Sequence, residues 1–155
     1  MTELRTLIAV DPGGTTGLVV VNTKLEVNGS YEIDDWYDVV EYIESEFVYA
    51  KDVGAKPPLL VCERFFITGQ THKKTPQSEP FDIIGNLKYM SLKFTGKPLA
   101  LQSPSDAKTF STDDKLKKVG FHHVGGAGHA NDAFRHALLF LFKNRYVSAK
   151  VLLDS

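Results

Sequence analysis

At 155 residues, 43% hydrophobic and with a formal net charge of −1, the chain is read as one domain, residues 1–155, large enough to bury a sizeable core. A single cysteine, Cys62, excludes an internal disulfide framework and fits a reducing cytoplasm. Leu7–Val10 is too short an apolar run for a signal peptide, and no stretch approaches the roughly 18 apolar residues of a membrane span.

In chain order, Leu4–Asp11 and Thr16–Asn22 are apolar, β-branched runs separated by a Gly-rich turn, which predicts a hairpin. Leu25–Ile33 alternates loosely and extends it as a third strand. Asp34 and Asp35 are N-cap residue types, and Trp36, Val39, Val40, Ile43, Phe47 and Val48 then recur at helical spacing to about Ala50. After the break GAKPP, Leu59–Glu63 is a short apolar strand ending in a carboxylate, and Cys62 within it reads as an inert buried thiol. The polar segment GQTHKKTPQSEP, with two prolines, reads as a loop, Phe81–Phe94 as a helix, Pro98–Leu101 as a strand and Ser103–Val119 as one or two short helices. VGGAG is a hinge before a long helix, His129–Tyr146, whose stretch Ala137–Phe142 is apolar on almost every side and should be largely buried. These elements make an α/β domain with a mixed sheet covered on both faces.

The charge is unevenly placed. The balance is −8 up to Glu63, +5 from Arg64 to His123 and +2 beyond. The acidic excess, mostly Glu32–Glu46, reads as the solvated face of a helix. The basic middle third is either an ordinary lysine-rich surface or a face that binds a polyanion.

The carboxylates carry the chemistry. Asp11 ends the first strand and Glu63 the fourth, while Asp132 lies one turn into the last helix with His129 three residues before it on the same face. Each stands beside apolar sequence, where an isolated charge is penalised. Taken singly, they also read as a turn residue, an early-helix charge and a carboxylate paired with Arg64 or a lysine. Taken together at strand ends, they make sense if a divalent cation neutralises them. Oxygen ligands with one imidazole suit Mg²⁺ or Mn²⁺.

Three stretches, IAVDPGGTTGLVV, LLVCERFF and GHANDAFRHALLF, resemble in order the signature regions of RuvC-type Holliday-junction resolvases, within the RNase H-like nuclease superfamily. The intervening IIGNLKYMSLKFTGKPLALQSPSDAKTF resembles that family's Gly-containing helix, short strand and lysine segment, so the likeness runs from about residue 5 to 145. The small size resembles a phage-encoded member, acting in the cytoplasm of a bacterial or phage-infected cell. The resemblance implies an RNase H-like fold, with a three-strand antiparallel meander, two parallel strands and helices on both faces.

It also implies roles. Asp11, Glu63 and Asp132 match metal ligands. His129 stands where many members have a further aspartate, and is either a ligand or a general base. Lys108 matches a lysine near the scissile phosphate. Phe66, or its neighbour Phe65, matches an aromatic that stacks on bases at the junction centre, unless both pack in the core. Lys73, Lys74, Lys88, Lys93, Lys115, Lys117 and Lys118 are candidate phosphate contacts. His136, one turn after Asp132, reads as core or as support for the site. The implied cofactor is Mg²⁺, with Mn²⁺ also supporting activity. Two ions about 3.5–4 Å apart would activate a water and stabilise the leaving 3′ oxygen. Paired nicks in four-way and other branched DNA would leave 5′-phosphate and 3′-hydroxyl ends. Two matched nicks imply a C2 homodimer, with Phe81–Phe94 as a possible source of the interface.

Other readings differ in what they require. An actin-like ATPase or sugar kinase needs two related domains and a second phosphate loop, for which 155 residues leave no room. No GxxxxGK[ST] loop is present. A general flap or fork nuclease, an RNA–DNA hybrid nuclease and a non-catalytic DNA-binding module of the same fold stay open.

Overall fold

The computed structural model describes residues 3–66 and 78–153. Five strands, β1 (Thr6–Asp11), β2 (Thr16–Asn22), β3 (Val27–Ile33), β4 (Leu59–Glu63) and β5 (Ala100–Gln102), form one sheet in the order β3-β2-β1-β4-β5. The first three are an antiparallel meander, while β4 joins β1 and β5 joins β4 in parallel. Parallel neighbours need crossover connections. Helix α1 (Trp36–Asp52) lies between β3 and β4, and α2 (Glu79–Thr95) between β4 and β5. Then follow α3 (Pro104–Phe110), α4 (Asp113–Val119), α5 (His129–Lys143) and α6 (Lys150–Leu153).

Strand β1 is buried on both sides, because alternate side chains leave opposite faces. Leu7 and Ala9, with Val19, Val21 and Val61, pack on one face with Phe134, Ala137, Leu138 and Leu141 of α5. Ile8 and Val10, with Leu18, Val20, Leu60 and Cys62, pack on the other with Val39, Ile43 and Phe47 of α1 and Ile83, Leu87 and Met90 of α2. The same alternation assigns Asp11, two residues after Ala9, to the α5 face.

The helix starts follow their caps. Asp35 accepts from Tyr37 N at 2.8 Å, Ser103 from Asp106 N at 3.2 Å ahead of Pro104, and Thr112 from Lys115 N at 3.4 Å. The Ser103 and Thr112 caps divide Ser103–Val119 into two helices. Glu79 and Pro80 open α2 rather than closing a loop, and the rest of GQTHKKTPQSEP up to Gln77 lies outside the described residues. Helix α5 stops at Lys143, short of Tyr146, whose ring turns back to stack on Phe140 at 6.1 Å. Sequence periodicity did not indicate α6. Among the described residues, no helix is long and apolar enough to cross a membrane.

Candidate active site

Asp11 and Glu63 are the last residues of two parallel strands in register, Val10 beside Cys62, so they emerge at the same end of the sheet. The start of α5 comes to that end over β2. Gly17, paired with Asp11, touches the His129 backbone so closely that a Cβ there would lie 1.9 Å from the His129 carbonyl oxygen. Only glycine permits this approach. His129 Nδ1 lies 3.8 Å from Asp11 Oδ2, and Asp132 follows one turn later. Asp11, Glu63 and His129 therefore lie at one end of the sheet, with Asp132 near enough for its charge to act on Asp11.

Asp11 is the electrostatic centre. Burial, then the charges of Glu63 and Asp132 and a hydrogen bond with Glu63, push its carboxyl up to about 8, against a smaller opposing pull from Lys108. A positive charge placed among these carboxylates would offset that penalty. Cys62, fully buried beside them, has its thiol raised well above its usual range, chiefly by burial, and is inert.

Three supporting residues, Glu32, Arg135 and Gln102, did not stand out in the sequence, while His136 was read there as core or as support for the site. Glu32, read there as part of a solvated acidic face, is instead the anchor of α5. Its Oε1 accepts from Ala127 N at 2.7 Å, and its Oε2 from His129 N at 3.1 Å and Ala130 N at 3.3 Å. The helix has Gly128 at its N-cap, with no side chain to offer, and a carboxylate from β3 supplies the acceptors. Those bonds hold the Glu32 carboxyl below its ordinary value. Arg135 reaches Asp132 Oδ1 at 3.7 Å while also binding Asp113 and the Ser111 carbonyl. Gln102 and His136 lie behind Glu63, with His136 Nε2 2.7 Å from Glu63 Oε2.

The candidate DNA contacts separate into groups. Lys108 is exposed on α3 and shares a cleft of about 380 Å³ with Thr112, Asp113, Asp132 and Arg135, directly beside the carboxylates. Phe65 is packed edge-on against Phe81 at 5.0 Å, whereas Phe66 is 52% exposed. Lys115 is folded back, with Nζ 2.9 Å from the Phe110 carbonyl and over the Phe110 ring, and Lys118 donates to the Leu152 carbonyl at 2.6 Å. Lys117 is exposed on α4 and Lys88 on α2, where Lys93 lies over the rings of Tyr89 and Phe94. Lys73 and Lys74 lie outside the described residues.

Three carboxylates and an imidazole fit a hard divalent cation in donor chemistry, and the burial and like charges that drive Asp11 up to about 8 fit it in charge. Among the described residues, no three His, Cys, Asp or Glu donors are already drawn into a cage around one point.

In three dimensions the chain is similar to T. thermophilus RuvC, solved in complex with a Holliday junction substrate. The TM-score is 0.62 over 91% of this chain and 95% of that one, at 15% sequence identity. At that identity the likeness is one of fold, and the RNase H-like arrangement implied by the sequence motifs is the one found. No protein-family model and no curated protein sequence matches the chain.

Proposed function

We propose that this chain is a metal-dependent endonuclease that resolves four-way and other branched DNA by paired nicks, leaving 5′-phosphate and 3′-hydroxyl ends. The observation that carries this reading is the convergence of Asp11, Glu63, His129 and Asp132 at one sheet end, with the Asp11 carboxyl pushed up to about 8 by burial first and then by its acidic neighbours. A buried cluster of like charges is costly to a folded domain. A ligand of opposite charge gives it a purpose.

Asp11, Glu63 and Asp132, with His129, would hold Mg²⁺ or Mn²⁺. Bound there, the cations would activate a water for in-line attack and stabilise the departing 3′ oxygen. The residues of the chain do the rest. Asp11, whose carboxyl is raised to about 8 without a cation, would give up its proton on loading. Lys108 and Arg135, lining the adjoining cleft, face the phosphate and offset its charge. The exposed ring of Phe66 stacks on an unpaired base, which selects branched over continuous duplex by shape. Phosphate contacts set register without reading sequence. Two copies related by a two-fold axis deliver the matched nicks.

The test is cleavage of a mobile four-way junction, a Y-fork, a flap, linear duplex and an RNA–DNA hybrid, each with Mg²⁺, Mn²⁺ or EDTA, by wild type and Asp11→Asn. Paired symmetric nicks confined to the junction, and lost with EDTA and in the variant, are expected. Equal cutting of forks and flaps would make the enzyme a general branch nuclease. Metal-independent cutting, or none, overturns the proposal.

A further inference from the structure

His136 is 1% exposed and lies one turn beyond Asp132 on α5. While its Nε2 meets Glu63, its Nδ1 lies 3.2 Å from Nε2 of Gln102, a buried side chain paired in register with Glu63 across β5 and β4. The same Gln102 nitrogen donates to the His136 backbone oxygen at 3.0 Å. Both amide hydrogens are therefore committed to His136. Turning the amide over would set Gln102 Oε1 against the His136 carbonyl and strand two donors where Oε1 now has no partner. The orientation found leaves one buried acceptor unpaired, which is the smaller penalty. With Nδ1 obliged to accept, the imidazole proton sits on Nε2 and points at Glu63.

We infer that Gln102 and His136 are a positioning pair for Glu63. The Gln102 amide selects the tautomer of His136, and the Nε2–H of His136 holds Glu63 Oε2, leaving the other carboxylate oxygen as the one free of His136. The inference rests on the metal-binding reading of the site given above, in which a ligating carboxylate gains its orientation from the group behind it. A space-filling residue would need volume at this position but neither nitrogen.

Two measurements test it. In metal-free protein labelled with ¹⁵N-histidine, long-range ¹H–¹⁵N correlation is expected to find His136 protonated on Nε2 and bare on Nδ1. A wild-type proton on Nδ1 overturns the inference. Gln102→Glu keeps the volume but replaces the donor with an acceptor, and is expected to bring a proton to Nδ1. An unchanged tautomer also overturns it. Titration with Mn²⁺ alone is the second measurement. His136→Leu and Gln102→Glu should weaken Mn²⁺ binding by about 10–100-fold. His136→Gln, whose amide nitrogen can stand where Nε2 stands, should recover most of that loss. Wild-type Mn²⁺ affinity in His136→Leu overturns the positioning role. Should leucine prevent folding, the contrast between His136→Gln and Gln102→Glu decides. A wild type that binds no Mn²⁺ while keeping the Nε2–H tautomer overturns the metal reading of the site, and the positioning role with it, but not the hydrogen-bond chain.

Discussion

Gly17 and His129 touch backbone to backbone, and a single added carbon at Gly17 would fall 1.9 Å from the His129 carbonyl oxygen and 2.7 Å from Ala130 N. The obstructing atoms are main chain at the start of a helix, so they cannot swing aside as a flexible side chain would. Gly17→Ala must push α5 away from β2. Overpacking of this kind costs about 1–3 kcal/mol, a fall of roughly 3–10 °C in Tm for a chain of this size. Cleavage should fall further than stability, because His129 and Asp132 move with the helix while Asp11 does not. Thermal melts beside junction-cleavage rates below the melting range check both.

The Asp11 carboxyl gives a pH signature in metal-free protein. Its folded value of about 8 lies above the ordinary 3.8, so between those limits the folded state holds a proton that the unfolded state has released. The contribution is fully present below about 3.8 and is lost as pH rises through about 8. Asp11→Asn cannot release that proton. It should be more stable than wild type above pH 8, by at least about 1 kcal/mol or 2–4 °C, with the gap closing toward acid. Mg²⁺ or Mn²⁺ should close the same gap from the other side by stabilising wild type alone. A gap that widens on acidification would show that Asp11 is charged in the folded, metal-free state.

How much of this was legible in the sequence depends on range. Strands β1 and β2 are dense in β-branched residues and β4 is apolar up to its last residue, so both the elements and the strand-terminal Asp11 and Glu63 could be read directly. His129 and Asp132 followed from helical spacing. Glu32, Gln102 and Arg135 could not be read in this way, because each acts on a partner far along the chain. Glu32 caps a helix that begins 97 residues later, and Gln102 acts on His136 only because β5 lies beside β4. A carboxylate in a strand looks the same whether it meets water or three N–H groups. The lysines show the same dependence on range. Lys115 and Lys118 have the composition of a phosphate-binding face, yet both ammonium groups are engaged with backbone carbonyls.

Glu32 should behave as a helix cap supplied from another strand. Glu32→Ala removes three acceptors at once and should cost about 1 kcal/mol, discounted for its partial exposure. Glu32→Gln keeps the shape but loses the charge opposite the helix N-terminus, and should fall between. The folded carboxyl lies below its ordinary 4.5, so its contribution is present above that value and lost as pH falls through the folded one. The variants and wild type should therefore converge in acid. Hydrogen exchange at the amides of Ala127, His129 and Ala130 should accelerate in both variants. Unchanged protection there would mean that the clamp does not hold α5.

Phe65 and Phe66 offer a contrast between neighbours. Phe65 is packed on Phe81, so Phe65→Ala should lower stability. Phe66 is half exposed, so Phe66→Ala should leave the melt unchanged. If Phe66 stacks on a base, its removal should weaken junction binding by about 1–3 kcal/mol, roughly 5–150-fold, with little effect on linear duplex. Equal losses on both substrates would assign Phe66 to general affinity instead.

Helix α2 presents a face whose chemistry bears on oligomeric state. Phe81, Tyr89 and Leu92 are 47%, 64% and 57% exposed and recur, with Gly85 between them, at the spacing of one helical stripe. A Cβ at Gly85 would meet nothing within 4 Å, so the stripe is open at its middle, where another backbone could approach closely. The opposite side of the same helix, Ile83, Leu87 and Met90, is spent on the core. If the chain cuts a symmetric junction twice, as proposed above, this exposed apolar stripe is where a second copy would pack. Tyr89→Glu with Leu92→Glu puts charge into that contact without touching the core. If these are central interface residues, together they should cost at least about 2 kcal/mol of association, some 30-fold or more in dimer dissociation constant. Sedimentation velocity across a micromolar series reads this directly, and the melt of the variant should match that of wild-type monomer. On a junction the variant should produce single, uncoupled nicks at a rate that recovers with protein concentration. A wild type that sediments as a monomer throughout the series, yet cuts in paired nicks, would remove α2 from the account and leave pairing to the DNA.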